Sequence, residues 1–241
     1  MKSLPSGTVL LQEGQIKYQM YSDEFYLSTF ENVLESRTAQ GSIYSDFGVD
    51  YSVIKNGCKE YIQNSINRII AIDTSSDKQA VVGSIFGEDF VDFIQSQMTD
   101  SHDRSLQILK HVNRQLIKPL LNLPIKKGDI IIGSGFAVKK EYQDQKIGKN
   151  LINLFLRIGK QSKYKIQCGL FYSRKASKIL IKQGGFILCS LQPEYCKDID
   201  NTITKYMKNY VEIVAFFDPN TQSSQFDSIK FLLNPIPQQM L

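Results

Sequence analysis

Between Lys139 and Lys149 the chain reads KKEYQDQKIGK, a polar, lysine-rich stretch between an apolar run and an amphipathic segment. The run before it, Ile130-Ile131-Ile132, is β-branched and reads as a buried strand. The segment after it carries Ile147, Leu151, Leu154, Phe155 and Ile158 at helical spacing. A strand, a polar turn and a helix opening at Gly148 form a geometry suited to anions. The first amides of a helix have no intrahelical partner, and the dipole adds about half a positive charge there. A phosphate or pyrophosphate satisfies both. Lys139, Lys140, Lys146 and Lys149 raise the local potential further. The same pattern also fits an ordinary connection with a solvated basic turn, and spacing alone leaves both readings open.

Residue types suited to proton transfer are scattered. Glu35 falls near the end of a predicted first helix, Glu88 and Asp89 follow a predicted hairpin, and Tyr172 closes a predicted strand. His102 and His111 fall on different faces of one helix and read as structural or solvated. Cys58, Cys168, Cys189 and Cys196 lie far apart without a C-x-x-C pair or a nearby histidine, so no zinc site is expected. They read as reduced, mostly buried thiols.

The elements that must position these residues are legible in outline. Residues 1–14 read as a loose lead-in, Gln15 to Met20 as a first strand, and the stretch from Ser22 or Asp23 to Arg37 as a capped helix. Gly41 to Lys59 is aromatic with few strong signals and reads as a long connection or one short helix. Arg68–Asp73 and Gln79–Phe86 form a hairpin around a turn-rich loop, with a bulge expected at Gly83. Ser101 to Leu123 is helical by period and interrupted at Pro119. Gly133 and Gly135 interrupt the next strand, where glycine marks a bulge or a close backbone approach. A strand from Lys165 to Phe171 precedes a helix from Arg174 to Gln183, capped by Ser173 and closed by Gly184-Gly185-Phe186. Strands at Ile187–Leu191 and Tyr210–Phe217 follow, and 218–241 is a tail. The expected fold is α+β, a mixed and mostly antiparallel sheet flanked by helices, in one domain spanning residues 15–217.

At 241 residues, with 42% hydrophobic and 22% charged residues, the chain can bury a sizeable core. A net charge of +5 favours an anionic ligand. No basic-aromatic interleaving argues for nucleic acid. No uninterrupted apolar stretch is long enough to span a membrane, and neither a signal-peptide pattern nor an N-x-S/T sequon occurs, so a cytoplasmic protein is expected.

Val138-x-x-x-Tyr142-Gln143-x-x-Lys146-x-Gly148 resembles the acetyl-CoA motif of the GNAT superfamily of N-acetyltransferases. That motif has Arg or Gln, two residues, Gly, one residue, then Gly or Ala, just after a strand. Gln143 and Gly148 match, and Lys146 stands at the first glycine position. The helix ending in Gly185-Phe186 resembles the family's second signature. The resemblance implies a bulged strand, a pyrophosphate-binding loop, and acetyl-CoA as co-substrate. It implies cofactor contacts from Phe136, Ala137 and Val138, from Gln143, Asp144, Gln145, Lys146, Ile147, Gly148 and Lys149, and from Ser173 and Ser177. The Val138 amide would stabilise the oxyanion.

The implied reaction is direct transfer of an acetyl group to a primary amine, on a small molecule or a lysine. Arylalkylamine-type members are similar in their element pattern. Vertebrate-like members carry a histidine pair where this chain has Ile132 and Ser134, so that base does not carry over. Insect-like members place a glutamate at the end of the first helix, for which Glu35 is the loose counterpart. Glu88 is the rival base. The tyrosine that many members place before Gly-Phe is Ile181 here, leaving Tyr172 as the candidate acid. A non-catalytic acyl-CoA-binding module is the alternative. Whether the chain is a monomer or a homodimer stays open.

Overall fold

The computed structural model describes residues 4–121, 124–172, 174–191 and 211–217. Its sheet opens with β1 (Val9–Glu13) and β2 (Ile16–Met20), followed by helices α1 (Tyr26–Thr38), α2 (Ile43–Asp46) and α3 (Tyr51–Asn64). The hairpin β3 (Ile66–Asp73) and β4 (Ala80–Asp89) leads to α4 (Phe90–Met98) and α5 (Arg104–Ile117). Then come β5 (Ile130–Val138), α6 (Ile147–Gln161), β6 (Ile166–Phe171), α7 (Arg174–Ile181), β7 (Phe186–Leu191) and β8 (Val211–Phe217). The eight strands form one sheet in the order β1-β2-β3-β4-β5-β6-β8-β7. Its β5–β6 pair is parallel and the other neighbouring pairs are antiparallel. The expected α+β class is the observed one.

Alternation along the strands divides the core between the two faces of the sheet. Ile70 and Ile72 of β3 and Ile130 and Ile132 of β5 join a cluster with Val33, Ile54, Phe90 and Val112 from α1, α3, α4 and α5. Ile69, Ala71 and Ile131 face the other way, against Ile147, Leu151, Leu154, Phe155 and Ile158 of α6. With helices on both faces, strand residues are apolar on both sides, which is why 130–132 reads as an unbroken isoleucine run. Each fully buried aliphatic side chain there contributes about 1.5–3 kcal/mol of transfer free energy.

Three elements depart from expectation. Val9–Glu13, within the expected loose lead-in, pairs with β2 as an edge strand. The aromatic stretch after Gly41 contains α2 and the fourteen-residue α3, whose buried residues Ile54, Cys58 and Ile62 recur every fourth position. Gly57 and the polar residues between them weaken that period in the sequence. The run Phe90–Met98 forms α4, capped by Asp89, whose side chain accepts from the Val91 amide. Cys58, Cys168 and Cys189 are buried free thiols, as expected; Cys196, Ser173, residues 192–210 and the 218–241 tail lie outside the described residues. Among the described residues no helix is long and apolar enough to cross a membrane.

The sheet opens at its centre. β5 and β6 pair in register from Ile130↔Ile166 to Gly133↔Gly169, and the pairing stops there. Beyond it β5 continues to Val138 on β4, through an irregularity between Ser84↔Ala137 and Phe86↔Ser134. β6 continues to Phe171 on β8. The extra residue on β5 is the bulge, and Gly135 takes φ +58° within it. The bulge is held from behind: Asn32 of α1 donates to Ser84 Oγ at 3.1 Å, and Ser84 donates to the Gly135 carbonyl at 3.2 Å.

Candidate active site

A cavity of ≈ 1020 Å³ fills the cleft between the separating strands and the helices in front of them. Ser134 to Ala137 of β5 line one wall and Leu170 to Tyr172 the other. Its remaining lining includes Arg37 of α1, Tyr44, Tyr61 of α3, Glu88 at the end of β4, and Asn113 of α5.

Glu88 is the titratable group best fitted to proton transfer in this cleft. Ser134 Oγ donates to its carboxylate at 3.1 Å. With its own hydrogen directed at Glu88, Ser134 accepts from the Tyr61 hydroxyl in a close contact. The Phe86 carbonyl, 3.4 Å from the Tyr61 oxygen, is a second acceptor within reach. Burial pushes the Glu88 pKa up to about 7, against the lowering effects of the Ser134 hydrogen bond and the Arg37 charge; Asp92 raises it further. A carboxylate balanced near neutrality both takes and releases a proton readily. Tyr61 and Tyr172 are held above the ordinary phenol range, in each case first by burial, so both carry their proton at neutral pH. Tyr172 donates to Asn113 Oδ1 at 3.1 Å.

The two expected bases are thus separated by the structure. Glu35 is exposed on α1 and does not line the cavity, because helical phase turns it away from the face carrying Asn32 and Val33. Tyr172, the candidate acid, lines the cavity. Ser177 is 1% exposed on α7 and does not line the cavity. Tyr61 and Arg37 were not singled out by sequence. For Tyr61 the available signal was Gly135, whose missing side chain makes room for the ring.

At the outer end of the cleft lies the lysine-rich turn. The Lys139 amide bonds the Val82 carbonyl of β4 at 2.9 Å. By the alternation of an antiparallel ladder, the Val138 amide then points away from β4, toward the gap. The Val138 carbonyl accepts from Gln143 Nε2 at 3.3 Å, and Tyr142 ties the turn back to β3 through Asp73 Oδ2 at 2.6 Å. Lys146 is the N-cap residue of α6 at φ 64°, a left-handed conformation that glycine adopts more readily. Lysine reaches the glycine geometry there. The first bond of α6 runs from the Asn150 amide to the Lys146 carbonyl, which leaves the Ile147, Gly148 and Lys149 amides ahead of the helical ladder. Gly148 lets Phe136 close in, since a Cβ there would lie 2.9 Å from Phe136 Cζ. Gln143, Asp144, Gln145, Lys146 and Lys149 are exposed, Ile147 is buried, and Ala137 is 4% exposed in β5.

No protein-family model and no curated protein matches the sequence. Solved structures do match. Arylalkylamine N-acetyltransferase 2 from Aedes aegypti superposes with a TM-score of 0.64 at 13% identity, over 85% of this chain and 99% of its own. YncA from Salmonella typhimurium, solved with its cofactor acetyl-CoA, gives 0.52 at 9% identity, over 86% of this chain and 97% of its own. The chain has the GNAT fold. The C-terminal condensation domain of Ebony, solved with beta-alanyl-dopamine, superposes at a TM-score of 0.68 and 9% identity, over 84% of this chain and 99% of its own. In terms of that fold, the bulged strand is β5, the cleft is the separation of β5 from β6, and the lysine-rich turn precedes α6.

Proposed function

We propose that this protein is an N-acyltransferase that moves an acetyl group from acetyl-CoA to a primary amine within a ternary complex. The observation that carries this reading is Glu88, a half-buried carboxylate that lines the cleft between β5 and β6 and accepts from Ser134 Oγ at 3.1 Å. The diphosphate of the cofactor would rest on the Ile147, Gly148 and Lys149 amides, with Lys146 and Lys149 adding charge. Its pantetheine arm would lie along the open edge of β5 from Phe136 to Val138, bringing the thioester to the cavity. YncA with its acetyl-CoA supports this placement by likeness of fold.

The amine nitrogen attacks the thioester carbonyl carbon, a C–N bond forms, and the Val138 amide donates to the oxyanion that develops. The excess proton on nitrogen passes to Glu88, directly or through Ser134. Collapse of the tetrahedral intermediate breaks the C–S bond, and the departing thiolate takes a proton from solvent or a phenol of the cavity. Tyr172 and Tyr61 are the phenols in place; with pKa values above that of a thiol they act as hydrogen-bond donors to the leaving sulfur. Alignment of both substrates in the closed cleft supplies a large share of the acceleration.

The test is purified full-length protein with acetyl-CoA and a panel of primary amines, following free thiol. Thiol release that depends on the amine and on Glu88 is expected. Tight CoA binding with no release on any amine would instead favour a non-catalytic acyl-CoA-binding module. Absence of CoA affinity would remove both.

A further inference from the structure

We propose that Arg37 is an anion subsite of the acceptor cavity, and that the acceptor is an amine that also carries a carboxylate, as an amino acid does. This deepens the transferase reading and rests on it. Arg37 lies in the last turn of α1 and lines the cavity that holds Glu88, Tyr61 and Tyr172. Among the described residues the one hydrogen bond of its guanidinium is from Nη1 to the Cys58 thiol, at 3.7 Å, and thiol sulfur is a weak acceptor. No carboxylate of the described residues forms an ion pair with it. A guanidinium has five N–H donors, so most of this one's capacity is unfilled.

Burial works against the charge of this half-buried guanidinium, but its neighbours favour the charged form on balance. The Tyr44 and Tyr61 ring centroids lie 5.3 and 5.0 Å from its Cζ, which supplies cation–π attraction and holds the fork in place. The C-terminal end of α1 adds a partial negative charge. Neither fills the planar donor edge. A carboxylate does, with two parallel charge-assisted hydrogen bonds. Lys127, also on the cavity wall, is paired with Asp92 at 2.7 Å. Lys110 donates to the Thr99 carbonyl and hydroxyl at 3.2 and 3.0 Å. Arg37 is therefore the lining cation left for a ligand. An acceptor bound between Glu88 and Arg37 presents its amine to the one and its carboxylate to the other, with Phe93, Leu106 and Leu109 against its carbon skeleton.

Full-length protein with acetyl-CoA is assayed on matched pairs that differ by the carboxylate alone: phenylalanine with phenethylamine, and γ-aminobutyrate with propylamine. For at least one pair kcat/KM is expected to be about 10–100-fold higher for the acid, the worth of a charge-assisted pair. Arg37→Gln should collapse that ratio toward unity, and Arg37→Lys should restore it in part. Calorimetric binding of phenylalanine and γ-aminobutyrate to the CoA complex gives a second readout that needs no turnover. Melting temperatures establish that each variant is folded.

Equal or better turnover of the plain amines would overturn the subsite and leave the transferase standing. A loss of CoA affinity in Arg37→Gln would assign the guanidinium to the cofactor and overturn it too. Absence of turnover on every amine, together with Arg37-dependent binding of an amino acid, would remove the transferase and keep the subsite. Absence of both would remove both.

Discussion

The Tyr61 ring occupies the space that a side chain at Gly135 would need: a Cβ there would lie 2.5 Å from Tyr61 Cε1 and 3.1 Å from Phe86 Cδ2. The bulge in β5 and the hydroxyl that reaches Ser134 thus depend on the same missing methyl group. Gly135→Ala adds left-handed strain of about 1–2 kcal/mol to that collision, so a loss of about 2–4 kcal/mol in urea unfolding is expected. Acetyl transfer should fall with it, because Tyr61 must swing away from Ser134. A variant of wild-type stability would show that the ring is free to move.

Removing the carboxylate separates chemistry from binding. Glu88→Gln is expected to lower kcat/KM by about 10²–10⁴-fold while CoA affinity, measured by calorimetry, stays near wild type. In the wild type kcat/KM should rise as pH passes through about 7, where Glu88 loses its proton. A flat profile with full activity in the Gln variant would exclude Glu88 as the base.

The same residue makes stability depend on pH. Its folded pKa, about 7, lies above the ordinary carboxylate value of 4.5, so between the two the folded chain binds more protons than the unfolded one. Its contribution is complete below the lower value and declines as pH rises through the upper one. Above it the deficit is of order 1–3 kcal/mol. Glu88→Gln should therefore be more stable than wild type at pH 8 and close to it at pH 4.5, by denaturant titration. The opposite sign would mean that the carboxylate is paired rather than desolvated.

Ser134 tunes Glu88 downward through its hydrogen bond. Ser134→Ala should move the acid limb of the kcat/KM profile to higher pH, by about one unit. Tyr61→Phe acts one bond further away and should give a smaller shift in the same direction. A shift to lower pH would refute the hydrogen-bond chain.

Lys146→Gly exchanges a strained lysine for the residue that suits φ 64°. Relief of the backbone and the added entropy of the unfolded chain offset each other, so unfolding free energy should change by less than about 1 kcal/mol. CoA affinity should fall several-fold at low salt through loss of one exposed charge, and the difference should fade on the order of 0.5 M salt. A tighter CoA complex would show that the lysine hinders the diphosphate.

What the sequence disclosed follows what periodicity can encode. The face of α6, the isoleucine run of β5 and the glycine stop after α7 were legible because burial on one or both sides imprints a period or a run. The helix α3 was legible only as a short helix or a turn or two because Gly57 and polar neighbours dilute its buried stripe, and α4 was missed because its apolar run Phe90–Ile94 is short and interrupted by Asp92. Gln143, Lys146 and Gly148 stood out through the resemblance to a family motif, since spacing alone fitted an ordinary basic turn equally well. Glu88 could be proposed but not preferred to Glu35, since their difference is one of burial, and burial is a property of the assembled sheet. Arg37 and Tyr61, on two different helices, meet in space alone.

On the proposed reading a donor molecule rests on residues 136–149, and an acceptor meets chiefly the elements from α1 to α5. β5, which leads into the first set, meets the second where Ser134 donates to Glu88 across adjoining strands. Substitutions on the helical wall can thus retune what is modified and leave what supplies the modifying group untouched. Lineages carrying such a scaffold are free to drift in substrate choice at one end of the cleft, under constraint from the other at a single seam.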